Sequence, residues 1–406
     1  MRIAVIGAGA AGMMAAGRAA ELGGDVCLFE KNKFSGKKLR ITGKGRCNVC
    51  NDCDVQNVIE NIPTNPRFLY AALNNFTPAD TKAFFTEMGV PLKTERGNRV
   101  FPVSDKASDI VDALRGYTKK NGVKYIEEEV KNISLSDGVF LVSAHRVREF
   151  DRVIIATGGA SYPLTGSTGD GYRFAKEFGI TVTDLVPSLV PLEIIEKDCA
   201  QMQGLSLKNT AVEVIDNESG KCIYRDFGEM MFTHYGVTGP MILSASSHLG
   251  KLERGRYGLK LDLKPALDEK TLDARLLSDF QKNLNRDFAN SLSELLPQKM
   301  IPVIIKRSGI DPQKKVNAIT KEERRVLLEL LKGFTLTVKS FRPLSEAIIT
   351  SGGISVKELS PKTMESKAVE GLYFCGEVID VDAYTGGFNL QIAFSTARLA
   401  AENAVW

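Results

Sequence analysis

No part of this chain is a long hydrophobic run. Nothing approaches the roughly 18 consecutive apolar residues that a membrane-spanning helix needs, so no membrane partner is expected. An excess of charge of one sign is also missing. The 53 basic and 49 acidic residues leave a formal charge of +4 and are well mixed, which argues against a nucleic-acid-binding stripe and against a membrane-surface patch. Histidine is scarce, with three residues, so imidazole chemistry has few places to reside. His145 and His248 read as structural, whereas His234 stands beside Tyr235 in a turn-rich stretch, GEMMFTHYGVTGP. The seven cysteines show no paired framework. Met1 leads at once into a strand-like run without a charged leader and cleavage site, so a cytoplasmic location with free thiols is expected. Cys47, Cys50 and Cys53 form C-x-x-C-x-x-C, yet a metal cage needs a fourth ligand at a second short spacing and none follows nearby. No metal is expected. A redox disulfide stays open, with Cys47 read as the member nearest a ligand.

What the chain does have is concentrated in its first thirty residues. Residues 2–6 (RIAVI) read as a buried strand, residues 7–12 (GAGAAG) as a turn, the stretch to about Leu22 as a helix, and residues 25–29 as a second strand ending on Glu30. The spacing matches a dinucleotide site. Gly7 permits the tight turn, Gly9 lets the backbone approach a pyrophosphate, and Gly12 lets the helix pack close to the sheet. N–H groups at the helix start, including those of Ala10 and Ala11, meet the anion at the positive end of the helix dipole. Glu30 is placed to accept hydrogen bonds from both ribose hydroxyls, and its charge disfavours a 2′-phosphate. FAD or NAD is therefore expected rather than NADP.

Further signals follow in order. Residues 31–51, KNKFSGKKLRITGKGRCNVCN, read as a basic, glycine-rich loop along the cofactor, with Lys37, Lys38, Arg40, Lys44 and Arg46 available to phosphates or to the charge of a reduced flavin. Thr77 and Ser104 read as helix caps, and Asp137-Gly138 as a hairpin turn within a run of short strands over residues 125–156. The apolar strand ending in Ala156-Thr157-Gly158-Gly159 delivers a turn where backbone can meet a ligand. It leads through Tyr162 to a helix for which Asp170 is placed as N-cap. Residues 188–342 change character to a mixed α+β insertion and contain no second glycine fingerprint. The chain closes with a strand ending in Gly376-Glu377 and with Gly387, Asn389 and Leu390 at the head of a last helix. A carboxylate there can hold ribityl hydroxyls, and a helix start stabilises negative charge on a reduced flavin ring. An ordinary nicotinamide domain has no use for that passage, so FAD is favoured over NAD.

These blocks, in this order and over essentially the whole chain, resemble the bacterial FAD-dependent oxidoreductase family that includes aminoacetone oxidase and the 3-dehydro bile acid reductase. The blocks that carry the resemblance include GAGAAGMMAA, SGKKLRITGKGRCNVCN, ATGGASYPLTGSTGDGY, AIITSGGIS and LYFCGEVIDVDAYTGGFNLQIAFSTA. The resemblance implies an α/β fold, a glutathione-reductase-type FAD-binding domain of central parallel sheet plus β-meander. An inserted α+β domain, a small β-barrel-like part and a helical part, would interrupt it. The expected division is residues 1–187 and 343–406 for FAD and 188–342 for the insert. By the same resemblance, FAD contacts would come from Gly7, Gly9, Ala10, Ala11, Gly12, Glu30, Lys31, Lys38, Gly45, Arg46, Cys47, Asn48, Val130, Ala156, Thr157, Gly158, Gly159, Gly376, Glu377, Gly387, Asn389 and Leu390. Cys50 and Cys53 depart from the family pattern. The expected activity is NAD(P)H-driven reduction of a conjugated C=C bond in a bile acid enone, a step of lipid metabolism. Oxidation of a small amine such as aminoacetone by dioxygen is the alternative. Tyr235, His234, Tyr162 and Cys47 are the catalytic candidates. A third expectation is an RNA-modifying or redox-sensing flavoprotein. The sequence leaves the oligomeric state open.

Overall fold

In the computed structural model, which describes residues 1–250 and 252–406, the apolar amino-terminal run is strand β1 (Arg2–Ile6), buried from Ile3 onward. A glycine turn leads to helix α1 (Ala10–Glu21) and then to β2 (Asp25–Phe29). β1 and β2 pair in parallel, Ile3 opposite Val26 and Val5 opposite Leu28. Helix α2 (Ala107–Lys120) follows, with strand β3 (Lys124–Ile126). Next come the antiparallel β4 (Asn132–Ser136), β5 (Val139–Ser143) and β6 (Val147–Phe150), then β7 (Arg152–Ile155) and, late in the chain, β8 (Leu372–Phe374). The five parallel strands run β8-β7-β1-β2-β3, and β4-β5-β6 form a separate meander. Strands covered on both faces read as unbroken apolar runs, which is why RIAVI and RVII show no alternation.

The last helix, α3 (Phe388–Ala404), lies against α1. Both are rich in alanine at buried positions, including Ala11, Ala15, Ala397, Ala400 and Ala401, and small side chains let two helices approach closely. Arg18 of α1 ties them at the rim through Glu402 at 2.7 Å. On its other side α1 meets α2, where Gly17 accommodates the ring of Tyr117; a Cβ at Gly17 would lie 2.3 Å from that ring.

By contact pattern the described residues divide into two units, Met1–Ser188 with Pro343–Trp406, and Leu189–Arg342. The second holds a closed barrel of six strands: Leu192–Ile194, Gly236–Thr238, Lys221–Phe232, Ser206–Asp216, Tyr257–Asp262 and Phe334–Phe341. Its core takes alternate residues such as Val212, Val214, Leu259, Leu261, Leu336 and Val338, as the two-residue period of strands requires. Helices Glu269–Lys282, Ile301–Ser308 and Lys321–Lys332 complete the unit, the last opened by a Thr320/Glu323 capping box. The α/β class, the meander and the mixed insert thus match what the resemblance implies.

Local readings needed correction in several places. The loop expected over residues 31–51 contains a short helix, Lys37–Ile41. Ser104 is not the cap of α2: the N-cap position is Lys106, and the Ser104 hydroxyl bonds Asp109 instead. Asp170 is not an N-cap either. Gly169 occupies that position with φ 83°, and Asp170 is the first helical residue. The turn-rich stretch beginning at Gly228 is mostly regular, the end of strand Lys221–Phe232 followed by Gly236–Thr238 and helix Pro240–Ser246.

Candidate cofactor and active site

The cleft of the first unit opens at the carboxyl ends of β1, β2 and β7, where ligands of open α/β sheets bind. Three glycines of the β1–α1 turn divide the work there. Gly7 has φ 101°, and a Cβ on it would stand 2.7 Å from the carbonyl oxygen of Ala156. A Cβ on Gly12 would fall 1.7 Å from the carbonyl oxygen of Gly7, so the helix axis can lie this near the strand only without a side chain. At Gly9 an added Cβ meets nothing within 4 Å. Gly9 is the N-cap of α1, no side chain caps the helix, and no acid sits in its first turn. The unsatisfied N–H groups of that turn are therefore available to an anion.

Glu30 is held across this turn: its carboxylate accepts from the Ala8 N–H at 2.8 Å and from the backbone and side-chain nitrogens of Asn32, each at 2.8 Å. Lys31 pairs with Asp170 at 2.6 Å, and the Asn32 amide donates to the Thr165 carbonyl at 3.2 Å. Segments 30–38 and 161–170 are thereby fastened together over one side of the cleft. Further along, Glu377 accepts from Lys38 at 2.6 Å, Ser161 at 3.0 Å and the Thr350 N–H at 3.0 Å. At the meander end, Glu128 is clamped by both Arg148 guanidinium nitrogens at 2.8 and 2.9 Å, and that pairing holds its carboxyl down at about 2.

Of the expected cofactor residues, the cleft wall contains Gly7, Gly9, Ala10, Ala11, Glu30, Lys31, Lys38, Val130, Ala156, Thr157, Gly158, Glu377, Asn389 and Leu390. It also contains residues that the sequence reading passed over, among them Asn32, Phe34, Thr42, Thr165, Ser167, Ile348 and Ile349. Ile348 and Ile349 belong to the AIITSGGIS block, which was the available signal. Gly12, Gly159, Gly376 and Gly387 are not on that wall. A side chain on Gly159 would meet Thr350 Oγ1 at 2.6 Å, one on Gly376 would meet Ala11 Cβ at 2.8 Å, and one on Gly387 would meet the backbone of Cys50 at 2.4 Å. These glycines make room for neighbours.

Gly45, Arg46, Cys47 and Asn48 are likewise off the wall, although Thr42 of the same turn is on it. The turn is left-handed at Gly43, Lys44, Gly45 and Cys47, with φ from 56° to 83°. Lys44 and Cys47 carry this conformation at a steric cost of about 1–3 kcal/mol each, so surrounding bonds must hold it. Arg46 supplies them: it pairs with Asp105 at 2.6 Å and with Glu95, and lies over the Phe101 ring at 4.2 Å. Asn48 Oδ1 is buried and has no hydrogen-bond partner among the described residues. Among the catalytic candidates, Tyr162 sits at φ 52° in the 161–170 segment and is not part of the wall. His234 and Tyr235 belong to the second unit, where His234 is exposed and edge-on to Tyr235, and Tyr235 lies under the Arg342 guanidinium at 4.5 Å.

Cys47 and Cys50 are fully buried, and burial pushes both thiols up to about 12; Cys53 is half-buried and raised to about 11. All seven cysteines are free, and no group of three or more metal-ligating side chains is found among the described residues. Thiolate, not thiol, is the reactive form. Alkylation of the native protein at pH 8 should therefore spare Cys47 and Cys50 for hours while denatured protein is labelled at once. Peptide mass spectrometry reads this directly, and rapid labelling of Cys50 in native protein would contradict the burial.

Comparison with known proteins fits this geometry. The model of the HI0933-like protein Rossmann domain matches residues 1–403. The chain belongs to the HI0933-like family. A 3-dehydro-bile acid delta(4,6)-reductase of Clostridium scindens is 31% identical over 99% of this chain and 98% of its own. A ribosomal RNA dihydrouridine synthase of Haemophilus influenzae is 31% identical over 98% and 96%. Among solved structures, a 3-ketosteroid delta1-dehydrogenase from Sterolibacterium denitrificans shares the fold, with a TM-score of 0.52 at 12% identity and 99% coverage of both chains. This HI0933-like protein is a flavin-dependent oxidoreductase. Its cleft suits FAD: the uncapped helix start beside the open Gly9, the carboxylate at the end of β2, and a second carboxylate beside α3 are the donor and acceptor set that a dinucleotide with a ribityl chain requires. No helix among the described residues is long and apolar enough to cross a membrane.

Proposed function

We propose that this protein reduces a carbon–carbon double bond conjugated to a carbonyl, drawing electrons from NAD(P)H. One observation carries the reading: relatives that match end to end at the same identity are named for two substrates but one chemistry, saturation of an electron-poor C=C in a bile acid or in a uracil ring. FAD, when bound, supplies hydride from N5 of its reduced ring.

The chain's own residues have distinct tasks in this reading. Gly7, Gly9, Ala10, Ala11 and the α1 start would hold the pyrophosphate. Glu30 would take the adenosine ribose, Val130 would border the adenine, and Lys38 with Glu377 would order the ribityl hydroxyls. The α3 start at Asn389 and Leu390 favours negative charge on the reduced ring. The sequence has no second glycine fingerprint, and in this reading NAD(P)H docks transiently. The carbonyl of the substrate must be polarised and its α-carbon must receive a proton. Tyr162, in the 161–170 segment beside the cleft, is the donor candidate within the first unit; Cys47 keeps its proton at neutral pH but is fully buried off the cleft wall.

A 3-oxo-Δ4 or Δ4,6 steroid acid in the cytoplasm is the favoured substrate, in keeping with a charge balance that provides no phosphate-tracking stripe. A uridine of ribosomal RNA is the second reading, favoured by the Haemophilus relative. The test uses the purified yellow protein, reduced without oxygen by NADH or NADPH and then mixed with a 3-oxo-Δ4,6 bile acid or with ribosomal RNA lacking dihydrouridine. Return of the flavin band with the bile acid is the expected result. Return with RNA alone would move the substrate and keep the reaction. Bleaching by aminoacetone with no reoxidation by either acceptor would overturn the proposal in favour of an oxidase.

A further inference from the structure

Asp382 is a carboxylate only 1% exposed. Both of its oxygens accept from serine hydroxyls, Oδ2 from Ser188 at 2.8 Å and Oδ1 from Ser351 at 3.0 Å, and no lysine, arginine or histidine pairs with it among the described residues. Burial raises the carboxyl of Asp380, two residues earlier, and the charge of Asp382 adds to that rise. A charge buried without a cation is costly. A neutral asparagine would tie the same two hydroxyls at less cost, since its amide both donates and accepts.

The surroundings of Asp382 account for a charge at this place. Ser188 and Ser351 belong to two short strands, Val186–Ser188 and Ile349–Ser351, which pair antiparallel with Ser188 opposite Ile349. Ile348 and Ile349 are part of the cleft wall. Thr350 between them and Ser351 is fully buried and held from another direction: its N–H donates to Glu377 at 3.0 Å, and its hydroxyl accepts from the N–H groups of Ala160 and Ser161 at 2.9 and 3.0 Å. Immediately after Asp382, the Ala383 N–H donates to Asn389 Oδ1 at 2.9 Å, and the Ala383 carbonyl accepts from Asn389 Nδ2 at 2.6 Å. Asn389 is the second residue of α3 and lies on the cleft wall. The start of α3 is thus joined to the isoleucine wall through Ala383, Asp382 and the two serines. That start has no side-chain cap on Gly387 and no acid in its first turn, so the positive end of its dipole is unanswered within the helix.

We propose that Asp382 is a positioning residue for the flavin: it fixes the α3 start against the Ile348–Ile349 wall, and its charge offsets the positive end of α3. The bound ring then takes up electrons less readily and gives them up more readily. The proposal rests on the bound flavin and not on the identity of the acceptor.

Sulfite tests this without a substrate, so the outcome is separate from that of the reductase reading. It adds its lone pair to N5 of oxidised flavin and sends an electron pair to N1, which bleaches the yellow band. Its affinity therefore reads the positive field around that end of the ring. In the full-length, FAD-loaded protein, Asp382→Asn should bind sulfite roughly tenfold more tightly than wild type. The midpoint potential of its flavin should rise by the same factor, about 30 mV for a two-electron couple. Its thermal unfolding should stay close to that of wild type, because the amide still ties both serines. Ser351→Ala is the complement: it removes one tie and leaves the charge, so FAD should bind severalfold more weakly while sulfite affinity and potential stay unchanged. A residue of structural importance alone would move stability in both variants and sulfite affinity in neither. Wild-type sulfite affinity in Asp382→Asn overturns the proposal, as does a fall in its potential, loss of its flavin, or a Ser351→Ala protein that binds FAD as tightly as wild type.

Discussion

Alanine at Gly9 is expected to leave the apoprotein as stable as wild type and yet strip it of colour, while alanine at Gly12 is expected to damage the fold itself. The two glycines are three residues apart on one turn, and their surroundings are opposite. Gly9 has φ −83° and ψ −165°, an extended conformation open to any residue, and nothing within 4 Å of a new Cβ. The methyl group would occupy only the space into which phosphate oxygens must come. A roughly 100-fold weaker FAD affinity, about 2.7 kcal/mol, is expected by titration of apoprotein with FAD, with no change in the thermal unfolding of the apoprotein. At Gly12 the helix would gain up to about 1 kcal/mol from alanine's better propensity. Against this stands a methyl carbon 1.7 Å from a backbone oxygen, which can be relieved only by prising α1 off β1. Overpacking costs about 1–3 kcal/mol even where side chains can move, and more where they cannot. The steric term wins, and the Gly12→Ala apoprotein should unfold at a clearly lower temperature. Equal stability losses at both positions would show that the open space at Gly9 is not real.

That contrast also shows what one chain's sequence can convey. The roles of Gly7, Gly9 and Gly12 follow from a local pattern, because strand, turn, helix and acid lie within thirty residues and each constrains the next. Arg46 is the opposite case. Its cationic loop suggested a cofactor phosphate, but the residues that claim it, Glu95 and Asp105, lie 49 and 59 positions away, and no spacing rule links them. Gly159, Gly376 and Gly387 are FAD contacts by the resemblance, and the atoms that an added Cβ would meet at them belong to Thr350, Ala11 and Cys50, all distant in sequence. Ser104 and Asp170 have the right chemistry for caps, but Lys106 and Gly169 begin the helices, and Asp170 is taken by Lys31, 139 residues away. The barrel strand Lys221–Phe232 was missed since Arg225, Asp226 and Gly228 break the apolar alternation that marks a half-buried strand. Its outer edge lies in solvent.

The ion pair between Lys38 and Glu377 is the second place where a large effect is expected. The two residues are 339 positions apart, one on the short helix after Glu30 and one after β8, and their bond closes the cleft wall at the point where the two ends of the chain meet. Lys38 is 22% and Glu377 15% exposed. A fully buried pair broken from one side costs about 3–5 kcal/mol, because the survivor is left charged without a partner, and an exposed pair is worth about 0.2–1 kcal/mol. Partial exposure places Lys38→Met between these limits, at about 1–3 kcal/mol. Ser161 and the Thr350 N–H still bond the Glu377 carboxylate in that variant, which keeps the loss below the upper limit. Glu377→Gln keeps an acceptor for those two donors and strands the ammonium instead. Each single change should lower the apoprotein's unfolding free energy and weaken FAD binding by roughly tenfold, about 1.4 kcal/mol. The double variant should lose at least 1 kcal/mol less stability than the sum of the two, because neither charge is then left alone. Sites that act independently add to within about 0.3–0.5 kcal/mol. Simple additivity in denaturant unfolding of the four proteins would mean that Lys38 and Glu377 do not sense each other, and that the carboxylate is held in the cleft by Ser161 and Thr350 alone.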